Sequence, residues 1–259
     1  MKIGIIGLGQ MGHSIARGLL ASKAVCPENL YAAGRNIDRL REKAEKLQIN
    51  ACACLSELLS CSDIVVLAVK PYQLREVIAP VAEQFENKIV VSVLAGVSHD
   101  EIKSLLPQSC HVQCVIPNTP VAVGKGVWIC EEQSSLTAED RAVFEEIFGK
   151  TGIIEYVKSG EMDIAGSLAG CGPAVAAMFL DALSDVGVRY GLSRHTAYRL
   201  ASAMLVGTGT LASETGEHPG ALKDNVCSPG GTTIRGVIAL EENGFRGSIS
   251  KAFSAIMES

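Results

Sequence analysis

Gly7-Leu8-Gly9-Gln10-Met11-Gly12 has the G-x-G-x-x-G spacing that brings a backbone against a pyrophosphate. In this spacing Gly7 permits a tight turn, Gly9 leaves room for phosphate oxygens, and Gly12 lets a helix pack closely on a strand. A helix starting there also presents unpaired N–H groups and the positive end of its dipole to an anion. The motif follows an apolar run at residues 2–7 and opens a segment with helical spacing, which returns to another apolar run at Leu30. Those flanks favour a dinucleotide site over a glycine turn kept for packing alone. Past the second run the chain reads Gly34-Arg35-Asn36, with no carboxylate before Asp38 to accept the ribose hydroxyls that an NAD site engages. Arg35 offers a guanidinium fork for a 2′-phosphate, with Asn36 beside it, so NADPH is expected and NADH is the weaker alternative. In the plainer reading Arg35 is solvated and Asp38 caps the next helix.

Other candidates stand where strands are predicted to end. Val69-Lys70-Pro71 follows one strand and Ala95-Gly96 another, both on the carboxyl edge where open α/β sheets bind ligands. The small Ala95 and Gly96 leave space for a flat nicotinamide ring. Asn118, in the rigid Pro117-Asn118-Thr119-Pro120 loop, is a candidate hydrogen-bonding group for cofactor or substrate, with a plain turn as the alternative. Late in the chain, Ser228-Pro229-Gly230-Gly231-Thr232-Thr233 reads as a loop opening into a hydroxyl-capped helix, with Ile234, Val237 and Ile238 at helical spacing. Its N–H groups suit a small anion such as a carboxylate, and an ordinary helix start is the competing reading.

The elements that must carry these residues alternate. Strands are predicted at 2–7, 30–33, 64–69, 89–93, 112–116, 126–130 and 153–157. Helices are predicted at 10–24, 37–47, 56–59, 74–85, 99–106 and 137–148. The pattern predicts a Rossmann-type, doubly wound, mostly parallel α/β sheet over residues 1–160, covered on both faces. Near Ser159-Gly160 the strand-like runs stop, and residues 161–259 read as an all-α domain rich in Ala and Gly. Such helices approach closely but lack bulk for a core of their own, so a second subunit is expected to supply the missing burial.

Composition narrows the function classes. Of 259 residues 47% are hydrophobic, and 23 Lys plus Arg against 28 Asp plus Glu leave a net charge of −5. No basic footprint for nucleic acid or anionic lipid follows from that balance. Nine cysteines at irregular spacing, with no leader-like segment before the first strand, predict a reducing cytoplasm; no paired spacing predicts a metal. The uncharged stretch at 164–180 is short for a membrane span and carries Gly172-Pro173, so it is read as a broken helix buried in protein.

Over its length the sequence resembles pyrroline-5-carboxylate reductases. The resemblance rests on the glycine motif, Val69-Lys70-Pro71, Ala95-Gly96, Pro117-Asn118-Thr119-Pro120, Gly170-Cys171-Gly172-Pro173-Ala174, and above all His218-Pro219-Gly220 through Asp224-Asn225 to Thr233. It implies NADPH-dependent reduction of a cyclic imine, 1-pyrroline-5-carboxylate, to L-proline by a homodimer or an assembly of dimers. It also implies that Ser228, Gly230, Gly231 and Thr232 hold the substrate carboxylate, and that Thr233, near the imine nitrogen, is catalytic. The chain departs from the family pattern at Cys171, where Ser is usual, at Ile116, where Met is usual, and at Val175, where an aromatic is usual. Two alternatives are a dinucleotide-binding regulatory relative without turnover and a reductase of a related cyclic imine. The 3-hydroxyacid dehydrogenases share the opening motif but resemble a pattern with a lysine on the helix after the nucleotide domain, and no lysine lies between Lys158 and Lys223 here.

Overall fold

The computed structural model describes residues 1–258, which form two compact units, Met1–Pro173 and the chain from Ala174 onward. The first unit runs β1 (Ile3–Ile6), α1 (Gln10–Ala21), β2 (Leu30–Ala33), α2 (Ile37–Leu47), β3 (Asn50–Ala51), α3 (Leu55–Ser60), β4 (Ile64–Leu67), α4 (Leu74–Ile78), β5 (Ile89–Ser92), α5 (His99–Lys103), β6 (His111–Pro117), β7 (Gly126–Ser134), α6 (Ala138–Phe148), β8 (Gly152–Val157) and α7 (Met162–Gly166). Its sheet has the order β3-β2-β1-β4-β5-β6-β7-β8. Strands β1 to β6 are mutually parallel, β7 pairs antiparallel with β6, and β8 runs with β7. The strand order reverses between β1 and β4, and at such a switch point the loops diverge and leave a crevice.

Every residue of β1, β4 and β5 is buried, as expected of strands covered on both faces. Alternation along the strands builds two cores. Ile3, Ile5, Ile64 and Val66 face one layer with Ile15 and Leu19 of α1, Leu40 and Ala44 of α2, and Phe144 and Phe148 of α6. Ile6, Val65, Leu67 and Val90 face the other with Leu58 of α3, Leu74 and Ile78 of α4, and Ile102 of α5.

Several expectations are corrected. The helix predicted at 74–85 is α-helical only to Ile78 and continues as a 3₁₀ segment, Ala79–Phe85, because Pro80 supplies no N–H. The two-residue edge strand β3 is too short to leave a periodic signal. Residues 164–180 are not a broken helix: helix runs from Ser159 to Arg189 without a stop at Gly172-Pro173, passing through a π turn, Ser167–Cys171. Pro173 has no N–H for the carbonyl of Ala169, and the Asn118 side chain donates to that carbonyl instead at 3.0 Å. Nor is this helix buried within the chain. By length and apolarity it is long enough to cross a membrane, yet its most apolar window is only 6% buried.

The packing division falls after Pro173 although the composition changes near residue 160. The segment between still leans on the sheet, with Gly166 against the Ile116 side chain. The second unit is helical throughout: α8 (Gly172–Arg189), α9 (Arg194–Thr215), α10 (Pro219–Asn225), α11 (Thr232–Glu242) and α12 (Phe245–Met257). Small residues bring α8 and α9 close, since a Cβ on Gly187 would stand 2.9 Å from that of Ala197. Among the described residues of this unit only Ser184 and Ala197 are buried, while Met178 is 74% and Val206 67% exposed.

Candidate active site

A cleft of about 800 Å³ opens over the carboxyl ends of β1, β2, β4 and β5. Its floor is the turn between β1 and α1. Gly7 sits at φ +101°, and a Cβ there would also meet the Ala68 carbonyl oxygen at 2.6 Å. A Cβ on Gly12 would run into the Gly7 carbonyl, so that glycine fixes the approach of helix to strand. At Gly9 a Cβ would meet nothing within 4 Å of protein and would project into space a ligand needs. Gly9 caps α1 without a side-chain hydrogen bond, and the first turn carries no acidic residue. The result is a helix N-terminus with open donors facing a cavity, which fits a pyrophosphate.

One wall is cationic. Arg35, Asn36, Arg39 and Lys43 line it along the start of α2, and Lys70 lines the opposite loop; Glu76 is the single carboxylate in the lining. Asn36 is the N-cap of α2, its Oδ1 accepting from the Arg39 backbone N–H at 3.0 Å, so the cap is Asn36 and not Asp38. Lys43 Nζ donates to the Leu8 carbonyl at 2.8 Å, tying α2 to the glycine turn. Burial first, then the charges of Lys43 and Arg17, hold the His13 imidazole below its ordinary value.

Of the residues expected at the cofactor, Gly7, Gly9, Gln10, Met11, Arg35, Asn36, Val69, Lys70, Pro71 and Ala95 line the cleft. Gly12 acts from beneath, and Gly96 lies outside the lining at φ +73°. Asn118 is also outside it, with both polar ends taken by backbone: Nδ2 donates to Ala169 and Oδ1 accepts from the Val127 N–H at 2.9 Å. Arg39, Lys43 and Cys54 belong to the lining and were not anticipated. The four-residue step from Arg39 to Lys43 was the available signal for the two cations, since it puts them on one face of α2.

The second unit carries the other loop. Gly230 sits at φ +69°, and the Gly231 N–H donates to the Ser228 carbonyl at 3.0 Å. A Cβ on Gly231 would meet the Ser228 hydroxyl, which would have to turn aside, and would stand 3.0 Å from the Ser228 carbonyl oxygen. Gly231, not a hydroxyl residue, caps α11, and it makes no side-chain cap bond. The N–H groups of Thr232 and Thr233 thus begin a helix with nothing of the protein's own capping them. Thr233 is exposed, and its hydroxyl makes no hydrogen bond among the described residues. The Arg235 guanidinium donates to the Gly230 carbonyl at 3.2 Å and braces the turn from behind. No group of three His, Cys, Asp or Glu side chains able to hold a metal ion occurs among the described residues.

Comparison with known proteins places these features in a family context. The model for pyrroline-5-carboxylate reductase dimerisation matches residues 159–259, and that for NADP oxidoreductase, coenzyme F420-dependent, matches residues 2–96. The chain is 40% identical to a pyrroline-5-carboxylate reductase of Treponema pallidum, covering 100% of both. It is 36% identical to that of Escherichia coli, covering 99% of this chain and 96% of the relative. The crystal structure of a Plasmodium falciparum pyrroline carboxylate reductase with NADP bound superposes with a TM-score of 0.86 at 32% identity, covering 100% of this chain and 96% of that one.

Proposed function

The chain belongs to the pyrroline-5-carboxylate reductase family, and on that premise we propose that it reduces 1-pyrroline-5-carboxylate to L-proline with NADPH, the last step of proline biosynthesis. The observation that carries this reading is the full-length similarity, at 40% identity, of a chain that turns at positive-φ glycines, Gly7 and Gly230, in its two glycine-rich loops. NADPH, when bound, supplies the hydride. The protein's tasks are then to position two rings, anchor a carboxylate and provide a proton to nitrogen.

The open N–H groups at Gly9, Gln10 and Met11 hold the pyrophosphate, and Arg35 with Asn36 holds the 2′-phosphate. Val69, Lys70, Pro71 and Ala95 border the nicotinamide end, where small side chains leave room for the ring. In the second unit the N–H groups at Gly230 and Thr232, with Ser228, hold the substrate carboxylate, while Gly231, whose own N–H is taken by the Ser228 carbonyl, shapes the turn. The Thr233 hydroxyl then hydrogen-bonds the imine nitrogen and relays its proton. No charged general base is required, because hydride addition to a C=N bond develops no alkoxide.

The working unit in this reading is a homodimer, or an assembly built of dimers. The supporting facts are the match to a dimerisation domain over 159–259 and the apolar surface that the second unit leaves exposed. Subunit burial accounts for the apolar helix Ser159–Arg189 without a membrane. Nine cysteines, none in a disulfide, support a cytoplasmic location. The test is a turnover assay on the purified chain with 1-pyrroline-5-carboxylate, following loss of NADPH together with appearance of L-proline. Proline formed in step with NADPH loss is expected, and NADPH left unconsumed at saturating substrate overturns the proposal.

A further inference from the structure

The cationic wall of the cleft has more charge than the Arg35–Asn36 corner needs for one 2′-phosphate. Arg35, Arg39 and Lys43 recur every fourth residue and line the same cavity. Arg39 and Lys43 stand about 6 Å apart along α2, and Arg35 lies just before the Asn36 cap at the end of β2. Neither guanidinium is paired with a carboxylate among the described residues, whereas Glu42 on the same helix is taken by Lys46 at 2.7 Å. Lys43 is half-buried and held at the far end of the row, on the Leu8 carbonyl inside the turn.

We propose that α2 divides the cofactor's anionic groups between these side chains: Arg39 is a second contact to the 2′-phosphate, and Lys43 is a positioning residue for the glycine turn whose charge faces the pyrophosphate. The division follows from where each residue is fixed. Arg39 lies in the first turn of α2, whose N–H Asn36 caps, next along the chain from the Arg35 corner at the end of β2. Lys43 reaches the backbone between Gly7 and Gly9, beside the phosphates common to NADPH and NADH. Arg39 therefore sets the choice between the two cofactors, and Lys43 sets affinity for both.

This inference rests on the reading of the cleft as the NADPH site, and the test separates the two. NADPH and NADH binding to the intact protein is measured by fluorescence titration for wild type, Arg35→Met, Arg39→Met, Lys43→Met and Lys43→Arg, with a thermal melt of each. Arg39→Met and Arg35→Met are each expected to weaken NADPH by about tenfold and leave NADH unchanged. Lys43→Met is expected to weaken both cofactors by the same factor, about three- to tenfold, and to raise the His13 titration followed by NMR. Lys43→Arg, which keeps the charge and a donor, is expected to recover most of the loss. Wild-type protein that binds NADH as tightly as NADPH overturns the cofactor reading itself. A wild-type preference that survives in Arg39→Met overturns the role of Arg39. A Lys43→Met protein that changes the NADPH to NADH ratio, or neither affinity, overturns the role of Lys43.

Discussion

At the scale of the residue, the site depends on a few atoms whose surroundings decide their chemistry. In the proposed reaction Thr233 Oγ1 is the side-chain donor to the imine nitrogen. Thr233→Val keeps the shape and removes the donor, so kcat is expected to fall about ten- to a thousandfold while NADPH affinity is retained. Wild-type turnover by that variant in steady-state kinetics shows that Thr233 merely starts a helix. The thiols divide sharply by environment. Burial pushes Cys52 up to about 11 and Cys110 and Cys114 up to about 12, with nearby Glu57 adding to the first and Glu131 to the last. A thiol so shifted holds almost no thiolate at neutral pH and does not alkylate. Cys54 is exposed and lines the cleft. Iodoacetamide is therefore expected to label Cys54 well before Cys110 and Cys114, and NADPH should slow that labelling specifically. Labelling of Cys54 that is indifferent to saturating NADPH, read by mass spectrometry, contradicts placement of the cofactor in this cleft.

At the scale of the element, two polar side chains hold secondary structure where the backbone alone leaves gaps. Asn118 donates to the carbonyl that Pro173 orphans and accepts from the first residues of β7, all within the first unit. Asn118→Ala leaves two backbone groups without partners and is expected to cost about 2–4 kcal/mol, seen as a lower melting temperature. Asn118→Asp keeps the acceptor but sets a buried carboxylate against the Ala169 carbonyl, and is expected to be no more stable than the alanine variant. An alanine variant that melts with wild type would show that water replaces both bonds. Asp140 begins α6: it accepts from the Thr137 hydroxyl and N–H and faces His111 Nδ1 at 2.6 Å. Burial raises its carboxyl, but the Thr137 and His111 bonds together outweigh burial, and the net shift is downward. A depressed carboxylate stabilises the fold at pH above its unfolded value, about 4, and that contribution disappears as pH falls through the lower folded value. Denaturant midpoints should fall more steeply below about pH 4 in wild type than in Asp140→Asn, and parallel acid profiles would assign the acid sensitivity elsewhere.

At the scale of the whole molecule, the two units differ in how complete they are. The first closes two apolar layers around its sheet, with Trp128 in edge contact with Phe144 and Phe148. The second exposes Met178, Val186, Leu200, Val206 and Leu211 on its two long helices, more apolar surface than a self-contained domain leaves in water. Met178→Asp is expected to convert a dimer into monomer at micromolar concentration, because an unpaired charge would be buried on assembly at a cost of several kcal/mol. A wild-type protein that sediments as a monomer removes the premise.

The order of elements, the parallel sheet, the glycine turn and the family were legible in the sequence, because each follows from short-range rules: the spacing of apolar residues, the need for glycine where a Cβ collides, and motifs contiguous in the chain. The Gly230–Gly231 loop was legible for the same reason. What tertiary structure alone decided was which distant side chains share a space. Asn118 appeared free to meet a ligand until the fold brought Ala169, fifty-one residues on, within 3.0 Å of it. No local pattern ties Lys43 to the glycine turn thirty-five residues before it; packing of α2 beside β1 sets its ammonium on the Leu8 carbonyl. The uncharged stretch at 164–180 was read as buried because apolarity reports a need for burial; whether the chain or a second copy meets that need depends on packing, which no local pattern encodes.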